Sequence, residues 1–210
     1  LEGCPPAVAA LYGAAASFLG TLALDSGKEA DACRDSLFAC NAHKLLVKAL
    51  HPTEHVLQQN PKACACVLDA LRHFAGAGEA STSLMRRELM SRSCHKAVVR
   101  VMKAHPTDLH VQRSGCAALR NLSFGGSKEG DGRRTSLVDC KAHTQASTAL
   151  RKFLAIEHEP EKQIATTALF EAAFGLIRNL AFGSAGQSAP AGSAPSSSSS
   201  SGGGGGGGGG

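Results

Sequence analysis

Residues 111–125, VQRSGCAALRNLSFG, decide how the chain is read. The apolar and small residues fall at Val111, Gly115, Ala118, Leu119 and Leu122. Steps of three and four of this kind line one stripe of an α-helix. The template recurs as Leu11, Ala15, Phe18, Leu19, Leu22, then as Ala63, Val67, Ala70, Leu71, Phe74, and finally as Leu169, Ala173, Leu176, Ile177, Leu180. Two copies share wording as well as phase: LRNLSFG at 119–125 and IRNLAFG at 177–183, with a looser LRHFAG at 71–76. Each stripe predicts a helix that buries this side.

Composition supports the helical reading. The chain is rich in Ala and Leu, has no Trp and one Tyr, and carries no long β-branched run. Residues 185–210 are Ser, Ala and Pro, then a Ser run and a Gly run, a composition that cannot bury apolar surface. They are expected to form a disordered linker, leaving 1–184 as the folded domain. The chain begins with Leu1 rather than Met, so it is expected to be a piece of a longer protein.

The net charge of +5 is interspersed with acids, no Lys/Arg run exceeds two residues, and few aromatics are available to stack on bases. These features argue against nucleic acid as a partner. The eight cysteines, at 4, 33, 40, 64, 66, 94, 116 and 140, mostly occupy small-residue positions of predicted helices. They read as reduced, partly buried thiols of a cytoplasmic or nuclear chain. The apolar stretch 8–24 is interrupted by Gly13, Ser17, Gly20 and Thr21, lacks a basic leader, and carries the template in phase. It therefore reads as part of the fold, with no membrane span expected.

The copies recur at a distance. Leu19 to Leu71 is 52 residues, Leu71 to Leu119 is 48, and Leu119 to Ile177 is 58. A second marker, Arg34-x-x-Leu37-x-x-Cys40-x-x-His43, matches Arg134-x-x-Leu137-x-x-Cys140-x-x-His143, with a less regular middle copy from Arg87 to Cys94-His95. A third is His51-Pro52-Thr53 against His105-Pro106-Thr107, with His158-Glu159-Pro160 in the same place. Periods of this size mean stacked helical units. The expected helices are 1–24, 28–40, 42–50, 61–74 capped by Asn60, 83–93, 95–104, 108–122, 134–139, 142–156 and 160–180, with 127–132 as a loop. The units are thus a partial repeat at 1–24 and repeats at about 28–76, 80–125 and 132–183, each running short, medium, long.

This order, with ALRNLS closing the long helix, resembles the armadillo repeat, as does the stretch 134–150. Cys40 and Cys140 would stand where that family often has Gly. The resemblance implies a right-handed α-solenoid of three-helix repeats, with HEAT-type repeats as the structural alternative. It also implies a concave groove, lined by the long helices, that binds a protein or extended peptide. By resemblance, Asn121 and Asn179 match the family's Asn that hydrogen-bonds a bound peptide backbone. They belong to a column with His73, beside a column of Arg72, Arg120 and Arg178 that would favour an acidic segment. The family's importin-like members carry a Trp four residues before that Asn, where this chain has Ala117 and Gly175.

Other chemistry finds no support in the sequence. Cys40/His43 and Cys140/His143 have metal-compatible spacing, but they recur at equivalent repeat positions that stacking explains. No catalytic arrangement, cofactor motif or phosphate loop is legible. The expected function is a non-catalytic interaction scaffold, with a regulatory or docking segment of a larger enzyme such as a kinase as the alternative.

Overall fold

The structure is a computed structural model and describes residues 6–23, 28–51, 59–76, 81–126, 128–154 and 160–182. The expected linker at 185–210, Cys4 and the markers at Pro52 and His158-Glu159 lie outside the described residues. Regular structure among the described residues is all α-helical. The helices are α1 (Pro6–Leu22), α2 (Lys28–Ala39), α3 (Ala42–Ala49), α4 (Pro61–Gly76), α5 (Ser81–Ser91), α6 (Cys94–Ala104), α7 (Leu109–Ser123), α8 (Lys128–Asp139), α9 (Ala142–Leu154) and α10 (Pro160–Phe182).

Local signals place the ends. Asn60 caps α4 as expected, its Oδ1 accepting the Ala63 N–H at 3.0 Å. Asp108 does the same for Val111 at 2.9 Å, so it stands before α7 rather than inside it. Helices α3 and α6 end at Ala49 and Ala104, ahead of His51-Pro52 and His105-Pro106. The expected loop at 127–132 is corrected: α8 already begins at Lys128. Gly130 and Gly132 argue against helix by propensity, but tertiary contact overrides them. A Cβ on Gly130 would lie 2.2 Å from the Gly125 carbonyl oxygen, so only Gly lets α8 start this close to the end of α7.

The long helices pack in series, α1 on α4, α4 on α7 and α7 on α10, and the other helices pack against them and one another. The template stripes of α4 and α7 are buried throughout. In α10, Leu169, Ala173 and Leu176 are buried while Ile177 and Leu180 are half-buried. Leu50, Leu68, Leu71, Phe74, Leu119 and Leu122 are fully buried between the layers. Each contributes roughly 1.5–3 kcal/mol through its removal from water.

The stripe of α1 is a correction. Leu11, Ala15, Phe18 and Leu22 are exposed, and the buried side is Ala9, Gly13, Ala16, Gly20 and Ala23. Small residues let α1 lie close to α4: a Cβ on Gly13 or Gly20 would sit 3.5 or 3.4 Å from the Cα of Ala63 or Ala70. Residues 7–22 contain no charge, so polarity did not mark which side faces the neighbour.

Buried arginines close three of the long helices, α1, α4 and α7. Arg34 Nη1 donates to the Ala23 carbonyl at 2.8 Å and Arg86 Nε to that of Ala75 at 2.8 Å. Arg133 Nε donates to Leu122 at 3.1 Å and Arg134 Nη1 to Ser123 at 3.2 Å. All four span 11 residues. Carbonyls at a helix C-terminus lack partners within the helix and carry partial negative charge, which a guanidinium satisfies on both counts. The middle copy of the second marker is accordingly Arg86, and the sequence assignment to the exposed Arg87 is corrected. Asn41, Ser93 and Lys141, at φ of 60°, 57° and 66°, make the turn from first to second helix in the three units. The position that favours Gly thus follows Cys40 and Cys140 by one residue. The expected order of short before medium is corrected: α2 has 12 residues and α3 has 8, while α5 and α6 have 11 each.

Residues Gln163–Phe182 of α10 are long and apolar enough to cross a membrane by length and composition, a stretch the sequence reading did not single out. They include Glu171, Arg178 and Asn179, and Leu169, Ala173 and Leu176 are packed in the core.

Candidate functional site

Two clefts are lined by residues of the long helices. The first, of about 670 Å³, runs across three helices: Ser17, Gly20 and Thr21 from α1, Lys62, Cys66, Asp69, Arg72 and His73 from α4, and His110, Arg113 and Ser114 from α7. The second, of about 600 Å³, lies along α10 beside α7 and is lined by Arg120, Glu171, Phe174, Arg178 and Phe182. Positions three, four and seven apart on α4 put Lys62, Asp69, Arg72 and His73 on one side of that helix.

The six sequence-derived candidates divide between surface and interior. Arg72 is half-buried in the first cleft; its Nε is 3.1 Å from Asp69 Oδ1 and its Nη2 2.8 Å from His73 Nε2. A guanidinium only donates, so His73 Nε2 accepts and the imidazole is neutral. Burial, and then the charge of Arg72, lowers the His73 pKa below its ordinary 6.5. Arg120 and Arg178 are exposed in the second cleft.

The two asparagines are engaged within the fold. Asn121 Nδ2 donates to the Arg72 carbonyl at 2.9 Å. Asn179 is 3 % exposed, and its Nδ2 donates to Ser123 Oγ at 3.0 Å and reaches the Arg120 carbonyl at 3.4 Å. Ser123 Oγ in turn donates to the Arg120 carbonyl at 2.6 Å. The same residue of successive long helices thus reaches back to the Arg of the helix before it, fastening the row from beneath. The donors that the resemblance assigns to a bound peptide are occupied by these carbonyls.

Charge in the clefts is uneven. Asp69 is shared by Arg72 and Ser114, whose Oγ donates to it at 3.3 Å, and Asp108 caps α7. Among the described residues Lys62, Arg113, Arg120 and Arg178 form no ion pair, and Arg113 Nε is buried without a hydrogen-bond partner. Lys62 and Arg113 were not among the sequence candidates. Their signal is weak in one dimension: each is a single basic residue, and only packing of α4 on α7 brings them to one cleft.

Neither Cys/His pair forms a ligand set. The His43 ring stacks on Phe38 with centroids 4.3 Å apart, and Cys140 Sγ donates to the Leu137 carbonyl at 3.2 Å. No group of three or more His, Cys, Asp or Glu that could hold a metal occurs among the described residues. Burial pushes the thiols of Cys64, Cys94 and Cys116 up to about 12, so they are protonated and inert at neutral pH. Comparison with models of protein families, with curated proteins and with solved structures finds no match to this chain.

Proposed function

We propose that the chain is an armadillo-type α-solenoid acting as a non-catalytic scaffold, and that its long-helix face binds an extended acidic protein segment. The observation that carries this reading is the set of unpaired cations, Lys62, Arg113, Arg120 and Arg178, spread over two clefts lined by the long helices. The arginines that the fold uses internally, Arg34, Arg86, Arg133 and Arg134, are by contrast held by backbone carbonyls. Guanidinium groups open to solvent on a grooved surface suit carboxylates, which they hold through two parallel hydrogen bonds. The wall that Phe174 and Phe182 give the second cleft adds apolar contact beside the charge.

The test is fluorescence anisotropy with a labelled, extended Glu-rich peptide. Arg113→Glu combined with Arg120→Glu is expected to weaken binding at least about tenfold, some 1.4 kcal/mol. The charge-matched pair Lys103→Glu and Lys152→Glu, exposed on α6 and α9, should change it less than about twofold. Equal losses in the two double variants would reduce the effect to net charge and sink the assignment of the face.

A further inference from the structure

Among the described residues of the first cleft, Lys62 and Arg113 form no ion pair, whereas Arg72 is held twice. Its Nε lies 3.1 Å from Asp69 Oδ1 and its Nη2 2.8 Å from His73 Nε2. His73 Nε2 is in turn 3.9 Å from Asp69 Oδ2. Steps of three and four along α4 bring Arg72 and His73 to Asp69. From α7, Ser114 Oγ donates to Asp69 Oδ1 at 3.3 Å and ties the carboxylate across the contact between the two helices. Both α4 and α7 have a long helix packed on either side.

The contact between Arg72 and His73 exists in one protonation state only. A guanidinium carries donors alone, so Nε2 must be unprotonated to accept from it. A proton on Nε2 removes that acceptor and sets two cations side by side. The same proton makes Nε2 a donor, and Asp69 Oδ2 stands within a small ring movement of it. Asp69 then exchanges Arg72 for His73. The main chain of Arg72 stays in place, because Asn121 Nδ2 donates to its carbonyl at 2.9 Å. Its side chain is one third exposed and borders the cleft, so it has room to swing there.

The surrounding charges decide when this happens. Burial first, and then Arg72, lowers the His73 pKa below 6.5; Asp69 opposes them and Arg34 of α2 adds to them. Of the other elements packed on α4, α1 carries no charge over 7–22. Helix α5 turns Arg86 to the Ala75 carbonyl, and its Glu88 faces His43 of α3 at 3.9 Å. Helix α7 brings His110 and Arg113 to the same cleft. The exchange therefore belongs to mildly acidic conditions.

We propose that His73 is a proton-operated latch on Arg72: the neutral imidazole holds the guanidinium against α4, and the imidazolium takes over Asp69 and releases Arg72 to the ligand. As pH falls, the acidic segment gains Arg72 in the first cleft beside Lys62 and Arg113. By linkage, the bound segment strengthens proton binding at His73 by the same factor. The inference rests on the acidic-segment reading of this cleft and adds its regulation.

Anisotropy titrations of the labelled Glu-rich peptide at about pH 7.5 and about pH 5.5 test it on the full chain, an interval in which glutamate stays largely ionised. The parent is expected to bind at least about threefold tighter at the lower pH, the scale of one partly exposed ion pair. His73→Gln keeps an oxygen that accepts from Arg72 at either pH, and Arg72→Met has no guanidinium to release. Both are expected to lose the gain. His110→Gln removes the other imidazole of the cleft and should keep it. Circular dichroism at both pH values should show every variant folded. A parent without the gain overturns the latch. So does a gain that survives in Arg72→Met, where imidazole charge alone then suffices, or one that vanishes in His110→Gln. A parent that binds the peptide at neither pH removes the acidic-segment reading instead, and the latch is then judged by heteronuclear NMR of the imidazole nitrogens. There, Nε2 of His73 is expected to be the unprotonated nitrogen at neutral pH, and Arg72→Met to raise the His73 pKa. A proton on Nε2 of the neutral ring, or a pKa that Arg72→Met leaves unmoved, overturns it.

Discussion

At Asn179 a side chain chosen for its hydrogen-bonding versatility turns out to bond its own fold. Its amide donates to Ser123 Oγ, which donates to the Arg120 carbonyl, so three polar groups under the long-helix face are satisfied together. Removing one member leaves buried neighbours without a partner, at about 1–3 kcal/mol. Asn179→Ala is therefore expected to lower stability in urea by about 1–2 kcal/mol. Asn121→Ala, at a half-buried site with one bond to Arg72, should cost less. An Asn179→Ala protein as stable as the parent but poorer in peptide binding would return that residue to the ligand side. The residue type was legible in the sequence. The direction of its amide was not, because an amide serves a neighbouring helix and an extended peptide equally well.

Among the elements, the closing arginines are the recurrent device. Arg86 is buried enough that desolvation, and then Arg133 nearby, brings its guanidinium down to about 10, still charged at neutral pH. Its Nε holds the Ala75 carbonyl, and its guanidinium carbon lies 5.3 Å from the centre of the Phe124 ring. Arg86→Met is expected to destabilise by about 2–3 kcal/mol, the range for a hydrogen bond to a charged group plus its lost packing. Arg87→Met, exposed and 3.6 Å from Glu129, should stay within about 0.5 kcal/mol. Chemical denaturation of the two variants side by side checks the contrast, and equal losses would remove the capping role. The spacing of 11 residues from carbonyl to Arg is visible in one dimension once its purpose is known. Before that, two adjacent arginines at 86 and 87 offer no basis for choosing between them.

For the whole molecule, the buried imidazoles set a pH response. Burial lowers the pKa of His43, His73 and His95 below 6.5. Glu88 and Asp69 pull His43 and His73 partly back, while Arg92 and Lys44, Arg72 and Arg34, and Lys96 push His43, His73 and His95 respectively further down. A histidine whose folded pKa is depressed binds fewer protons folded than unfolded, so stability rises with pH. The contribution is complete above the unfolded value near 6.5 and is lost as pH falls from there toward the lowered folded values. The thermal midpoint is expected to be flat above about pH 7.5 and to fall toward pH 5. The drop should shrink in His43→Phe, whose ring can keep the stack on Phe38 without a proton to take up. A midpoint that rises on acidification in that interval would contradict the buried, neutral assignment.

The sequence alone determined the helical class, the order of three helices per unit with the long one last, and the phase of the buried stripes in α4, α7 and α10. Those follow from periodicity and from punctuation by Asn60, Pro106 and Gly76, which act within a few residues along the chain. Only the tertiary structure decided which side of α1 is covered, that Gly130 starts a helix, that the asparagines fasten the row, and that Lys62 and Arg113 join Arg72 in one cleft. Periodicity reports that two sides of a helix differ, and on α1 they scarcely do, since 7–22 carries no charge. Which side is buried, and which donors remain for a partner, is a property of the neighbouring helix, and the neighbour lies about 50 residues away.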